Sequence, residues 1–161
     1  MNAYEYAMKI EKEGEVFYRK LAEEANHEGL SKIFTMLANE EVKHYKMFEK
    51  LSKNSETITA PKMEVFKEAR AVFAEMHKDS VAYSFEDQQI DFYRRAIKTE
   101  DYAYKQYLEK ADEMTNIQHK EIFLKIAKEE LKHKELLENI LEYVEQPTEW
   151  IANAEFRNIG A

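Results

Sequence analysis

The chain repeats itself. Residues 4–51 slide onto residues 93–140 at a constant offset of 89, without a gap, and about fifteen of the 48 aligned positions are identical. The matches include Tyr4 with Tyr93, Ala7 with Ala96, Glu11 with Glu100, Tyr18 with Tyr107, and Ile33-Phe34 with Ile122-Phe123. They end on Glu40-Glu41-x-Lys43-His44 against Glu129-Glu130-x-Lys132-His133. Apolar residues return every three or four positions through both copies, so the duplicated unit is a helical hairpin. Shared helical composition accounts for some of the identities. It does not account for two Glu-x-x-His pairs, each with its own glutamate upstream.

The first copy reads as a helix from about Ala3 to Ala25, a short turn at Asn26-His27-Glu28-Gly29, and a second helix from about Leu30 to Lys53. The pattern breaks from Ser52 to Pro61 and resumes in a shorter amphipathic stretch, Lys62 to Lys78, whose apolar face holds Val65, Phe66, Ala69, Val72, Phe73 and Met76. Ser84-Phe85-Glu86-Asp87 offers an N-cap for the next long helix, to about Glu113, and Thr115-Asn116 a turn before the last, Ile117 to Glu145, ahead of Pro147. Short turns make antiparallel neighbours, and two hairpins joined by one long connection over 52–84 have the connectivity of a ferritin-like bundle. The expectation is an all-α, ferritin-like four-helix bundle over residues 1–146, with a short helix in the crossover. A tail over 147–161 packs on the bundle or on a partner subunit through Trp150, Ile151 and Phe156.

With 161 residues, 3 Gly, 2 Pro and 35% charged side chains, the chain has the size and composition of one helical domain. The absence of cysteine removes disulfides, thiolate metal sites and a cysteine nucleophile, so any metal is held by oxygen and nitrogen. No segment reaches the roughly 18 apolar residues of a membrane span, and the first residues lack the basic and apolar regions of a leader, which makes the cytoplasm the expected location. A formal charge of -8 speaks against a nucleic-acid backbone as partner.

Residues three apart on a helix lie about 60° apart around its axis, so Glu41 and His44 face one way, as do Glu130 and His133. Each pair is expected to grip one ion. Glu11 and Glu100 sit on stripes that must face the core, where an unpaired charge is costly. Four carboxylates and two divalent cations balance, and oxygen with imidazole suits iron first, with manganese or zinc as alternatives. Glu40 and Glu129, four residues before each His, are alternatives to Glu41 and Glu130. Tyr18 and Tyr107, two turns beyond Glu11 and Glu100, read either as hydrogen-bond donors to the carboxylates or as core filling. His27, His77 and His119, at turns or in the crossover, read as solvated.

In Ile10-Glu11-Lys12-Glu13-Gly14-Glu15-Val16-Phe17-Tyr18, Ala38-Asn39-Glu40-Glu41-Val42-Lys43-His44, Thr99-Glu100-Asp101-Tyr102-Ala103 and Ala127-Lys128-Glu129-Glu130-Leu131-Lys132-His133, the chain resembles the rubrerythrin branch of the ferritin-like superfamily. The resemblance covers about residues 3 to 145. It implies a non-haem diiron centre that reacts with hydrogen peroxide or dioxygen, with Glu11, Glu41, His44, Glu100, Glu130 and His133 as ligands. Two departures qualify it. Two-domain rubrerythrins hold an electron-transfer iron on the four cysteines of a rubredoxin domain, and this chain has none, which implies a separate electron-donor protein such as a rubredoxin. They also carry a further glutamate where this chain has Ala103, which implies a site without the ligand exchange that accompanies redox change. Relatives commonly pair, so a homodimer is expected. Two other readings stand beside the oxidoreductase: ferroxidation and iron storage in a shell-like oligomer, or a partner-binding bundle whose site is empty or filled by zinc.

Overall fold

The computed structural model describes residues 1–53, 65–78 and 86–145. All regular structure among them is helical: α1 (Ala3–Glu24), α2 (Glu28–Ser52), α3 (Val65–Lys78), α4 (Asp87–Glu113) and α5 (Ile117–Glu145). The remainder of the 52–84 connection, Ser84-Phe85 of the expected N-cap and the tail over 147–161 fall outside the described residues. So do the side chains of Phe66, Phe73 and His77.

The four long helices start where side-chain and backbone groups satisfy one another at the first turn. The Asn2 side chain accepts from the Glu5 N–H at 2.8 Å, and the Gln89 side-chain oxygen accepts from the Glu86 N–H at 3.3 Å. Asn116 Oδ1 accepts from the His119 N–H at 3.1 Å. Helix α2 begins two residues earlier than periodicity predicts, because His27 caps it: Nδ1 accepts from the Gly29 N–H at 2.9 Å. This corrects the expectation that His27 is solvated, since capping draws the ring inward until it is buried. His119 is corrected likewise. It is buried with its ring edge-on to Tyr4 and Nδ1 2.8 Å from the Tyr4 hydroxyl.

Helix α1 packs chiefly along α2 and α4 along α5, so the two hairpins are the two copies of the repeat. They meet through α1 with α4 and α2 with α5, in the ferritin-like arrangement. Helix α3 lies on α2, burying Ala69, Val72 and Met76. Gly29 makes room for it, since a Cβ there would stand 2.9 Å from Met76 Sδ. Apolar side chains collect in two separate clusters. One contains Leu21, Ile33, Phe34, Leu37, Tyr93, Leu136 and Ile140, and the other Ala7, Met47, Phe48, Tyr107, Phe123 and Ile126. Each buried Leu, Ile or Phe contributes about 1.5–3 kcal/mol. Along every long helix the candidate acid falls between residues of the two clusters, so the centre is walled by hydrocarbon at both ends.

Candidate metal centre

Glu11 on α1, Glu41 and His44 on α2, Glu100 on α4, and Glu130 and His133 on α5 converge in the middle of the bundle, and none is more than 3% exposed. They form two overlapping groups of four, Glu11-Glu41-His44-Glu130 and Glu41-Glu100-Glu130-His133. One ligand atom from each residue lies within 4.8 Å of the others in its group. Glu41 and Glu130 belong to both groups. Each group keeps one Glu-x-x-His pair whole and adds the carboxylate of the other, so Glu41 and Glu130 are common to both while Glu11 with His44, and Glu100 with His133, stand at opposite ends. Two hairpins facing each other place their central carboxylates between the two ends, which spacing along one helix cannot reveal.

His44 Nδ1 is 2.7 Å from Glu130 Oε1 and 3.4 Å from Glu11 Oε2. His133 Nδ1 is 3.5 Å from Glu41 Oε1, 3.6 Å from Glu100 Oε1 and 3.8 Å from Glu130 Oε2. The imidazoles lie nearly parallel, 18° apart with centroids separated by 5.8 Å. The two tyrosines cross between hairpins. Tyr18 of the first donates to Glu100 of the second, and Tyr107 of the second donates to Glu11 of the first at 2.7 Å. They are donors and core residues at once, since both rings are buried.

Glu100 Oε2 and His44 Nε2 are buried and make no hydrogen bond, and Glu11 Oε2, Glu41 Oε1, Glu130 Oε1 and His44 Nδ1 are buried with only other members of the cluster beside them. Leaving such groups unsatisfied costs about 1–3 kcal/mol each, more when charged. An oxygen-rich set with one imidazole at each end fits a pair of iron, manganese or zinc ions, which would satisfy these atoms and neutralise the four carboxylates. Glu40 and Glu129 are buried as well, but neither belongs to either group, and Glu40 lies 3.6 Å from Lys43 Nζ.

The protein-family model for rubrerythrin matches residues 2–141, and again 91–158. The chain belongs to the rubrerythrin family. No curated protein and no solved structure matches it. The second match opens two residues before the second copy of the repeat, as expected where a rubrerythrin hairpin occurs twice.

In the absence of metal the rubrerythrin centre distributes protons unevenly. Burial pushes Glu41 and Glu130 well above the ordinary carboxylate range, and the neighbouring carboxylates push them further. Burial also raises Glu11, to about 7, against hydrogen bonds from Glu41 and Tyr107 that pull it down. Burial opposes ionisation of Glu100 too, but hydrogen bonding to Glu130 and the charge of His133 outweigh it and bring Glu100 to about 2. His44 is lowered by burial. Burial also acts to lower His133, but the Glu100 charge and hydrogen bonds to Glu100 and Glu41 raise it well above its usual value.

One participant escaped the sequence reading. Gly14 lies against the centre: a Cβ on it would stand 2.9 Å from Glu41 Oε2 and 3.2 Å from Glu41 Cδ. The signal was present in the repeat, where Gly14 aligns with Ala103. A mid-helix glycine costs about 0.5–1 kcal/mol against alanine and calls for a reason.

Proposed function

We propose that this protein is a non-haem diiron oxidoreductase that reduces hydrogen peroxide, or dioxygen, to water. The observation that carries this reading is the pair of buried four-residue groups sharing Glu41 and Glu130. The shared carboxylates suit a pair of ions. When bound, iron supplies electrons to an oxidant and takes them back from a donor.

The chain's own residues bind, orient and exclude water. Glu41 and Glu130, common to both groups, would serve either ion, Glu11 with His44 would hold one and Glu100 with His133 the other, while Tyr107 and Tyr18 hold Glu11 and Glu100 by hydrogen bonds. Burial, together with the neighbouring carboxylate charges, raises both phenols well above their ordinary range, so they keep their protons and remain donors. The apolar clusters on either side keep bulk water from the oxidised centre. With no cysteine among the 161 residues, we assign electron delivery to a separate protein such as a rubredoxin. The chain works as a homodimer in the cytoplasm. Among the described residues, no helix is long and apolar enough to cross a membrane.

The test is anaerobic reconstitution with ferrous iron, metal analysis, and stopped-flow absorbance after addition of hydrogen peroxide. Two irons per chain and rapid oxidation, absent from Glu41→Ala and Glu130→Ala, is the expected result. Tight zinc binding with no peroxide reaction overturns the reading, and so does ferrous iron consumed far beyond two per chain, which is the signature of storage.

A further inference from the structure

A second tyrosine pair lies outside the centre, on the outer side of α1 and α4. Tyr6 on α1 and Tyr102 on α4 are hydrogen-bonded through their hydroxyls. Tyr102 is 49% exposed, and Lys110 Nζ lies 5.6 Å from the centre of the Tyr6 ring. Nothing in the metal cluster needs either residue, yet both lie beside it along the chain. Tyr102 follows Glu100 by two residues. Tyr6 precedes Ala7, whose carbonyl is 3.4 Å from the Tyr107 hydroxyl, the same hydroxyl that donates to Glu11 at 2.7 Å. The Glu11 carboxylate and the Ala7 carbonyl therefore converge on one Tyr107 hydroxyl, one residue along the backbone from Tyr6.

Phenols are among the side chains most easily oxidised by one electron, and two oxidised phenols couple through the ring carbons next to the hydroxyl. Coupling within one molecule depends on the rings already being neighbours, which removes the entropic cost of encounter. Among the ten tyrosines of the chain, Tyr6 and Tyr102 are a pair whose hydroxyls meet across two helices at the surface. Tyr6 packs at the edge of the second apolar cluster and Tyr102 is exposed, so neither ring is sealed in the core.

We propose that Tyr6 and Tyr102 form an oxidative cross-linking site, joined as dityrosine when peroxide is reduced at the centre with no external donor present. Each tyrosine loses one electron and one proton, two ring C–H bonds are replaced by one C–C bond, and the O–O bond of hydrogen peroxide breaks to give two waters. The product ties α1 to α4 and so joins the two hairpins covalently. The inference rests on the peroxide reading of the centre given above.

The experiment uses the full chain loaded anaerobically with two ferrous irons and treated with two equivalents of hydrogen peroxide, without reductant, so that one equivalent takes its two electrons from the irons and the other takes its two from the phenols. Iron oxidation is followed by absorbance and cross-linking by peptide mass spectrometry. The expected product is a monomer in which the peptides holding Tyr6 and Tyr102 are joined and two hydrogens lighter than their sum, with the blue fluorescence of dityrosine. It is absent from Tyr6→Phe and Tyr102→Phe, whose iron still oxidises at the parent rate, and from parent protein supplied with excess reductant. Ferric iron with no cross-link, or cross-links that join two chains, overturns this inference alone. Iron that stays ferrous overturns the peroxide reading and this inference with it.

Discussion

The two hairpins carry the same motif in the same register, yet their halves of the centre settle differently. Glu11 and Glu100 are repeat partners, equally deep, and each accepts a tyrosine from the other hairpin. Nevertheless Glu11 is raised to about 7 while Glu100 falls to about 2. The histidines diverge in step, His44 downward and His133 upward. Close acids in a hydrocarbon shell resist ionising together, so Glu100 beside His133 is drawn toward the charged form and Glu11 toward the protonated one. Duplication copies positions. It does not copy charge states, which belong to the whole cluster. Divalent cations at both ends remove the reason for the asymmetry, so metal binding should restore the likeness of the two halves.

The largest test of that view contrasts shared with unshared ligands. Glu41→Ala or Glu130→Ala strips a carboxylate from both groups and should abolish stoichiometric binding at both ends. Glu11→Ala should empty only the His44 end, and Glu100→Ala only the His133 end. Metal analysis after gel filtration distinguishes these outcomes, and retention of one full equivalent in Glu41→Ala would show that the groups do not share it.

A second test reads the uneven protons directly. Raised folded-state pKa values mean that the metal-free protein loses stability as pH rises. Glu11 contributes fully below its ordinary 4.5, and that contribution is lost through about 7. Glu41, Glu130 and His133 are raised too and act in the same direction. His44, being lowered, opposes them only below its ordinary 6.5, and Glu100, lowered to about 2, is ionised in both states across this range. The shift of Glu11 alone corresponds to about 3 kcal/mol. Thermal melts of metal-free protein should therefore fall from about pH 4.5 through pH 7, and further as His133 loses its proton, while metal-loaded protein stays nearly level. A level metal-free profile would mean that these carboxylates ionise freely, and the contrast between the halves would disappear.

How much of this was legible beforehand follows from where each feature is encoded. The long helices were legible because apolar residues recur along each one, and the six clustered residues because duplication repeated a rare spacing. The burial of His27 and His119 was not, since it depends on a cap and on a tyrosine from another helix. Nor was the sharing of Glu41 and Glu130, or the crossing of Tyr18 and Tyr107, because both arise where the hairpins meet and spacing within one hairpin carries no record of that. The crossed tyrosines give the third test. Tyr18→Phe and Tyr107→Phe each remove one hydrogen bond to an outer carboxylate while keeping the ring, and each should weaken metal binding by about 10- to 100-fold. The loss should fall at the Glu100 end for Tyr18→Phe and at the Glu11 end for Tyr107→Phe, so each variant damages the opposite hairpin's ligand. Competition with a metallochromic chelator measures the two affinities. Losses confined to the variant's own hairpin would break the crossing.

The smallest expected effect concerns a place against the centre where the repeat departs from itself. Gly14 and Ala103 align, but a Cβ at Gly14 would press on the Glu41 carboxylate at 2.9 Å. In the metal-free protein that carboxylate is the free end of a flexible side chain and can swing aside, so Gly14→Ala should stabilise by up to about 1 kcal/mol through helix propensity. As a ligand common to both groups, Glu41 would lose that freedom when metal is bound. The same variant should then bind metal about tenfold less tightly, the order of loss that follows displacement of a ligand's support. Ala103→Gly supplies the mirror experiment, because it should cost about 1 kcal/mol of stability and gain no metal affinity. Urea denaturation with and without metal resolves both signs. If Gly14→Ala binds metal as well as the parent does, the glycine is retained for some reason other than the close approach of Glu41, and the first hairpin has no special geometric demand that the second lacks.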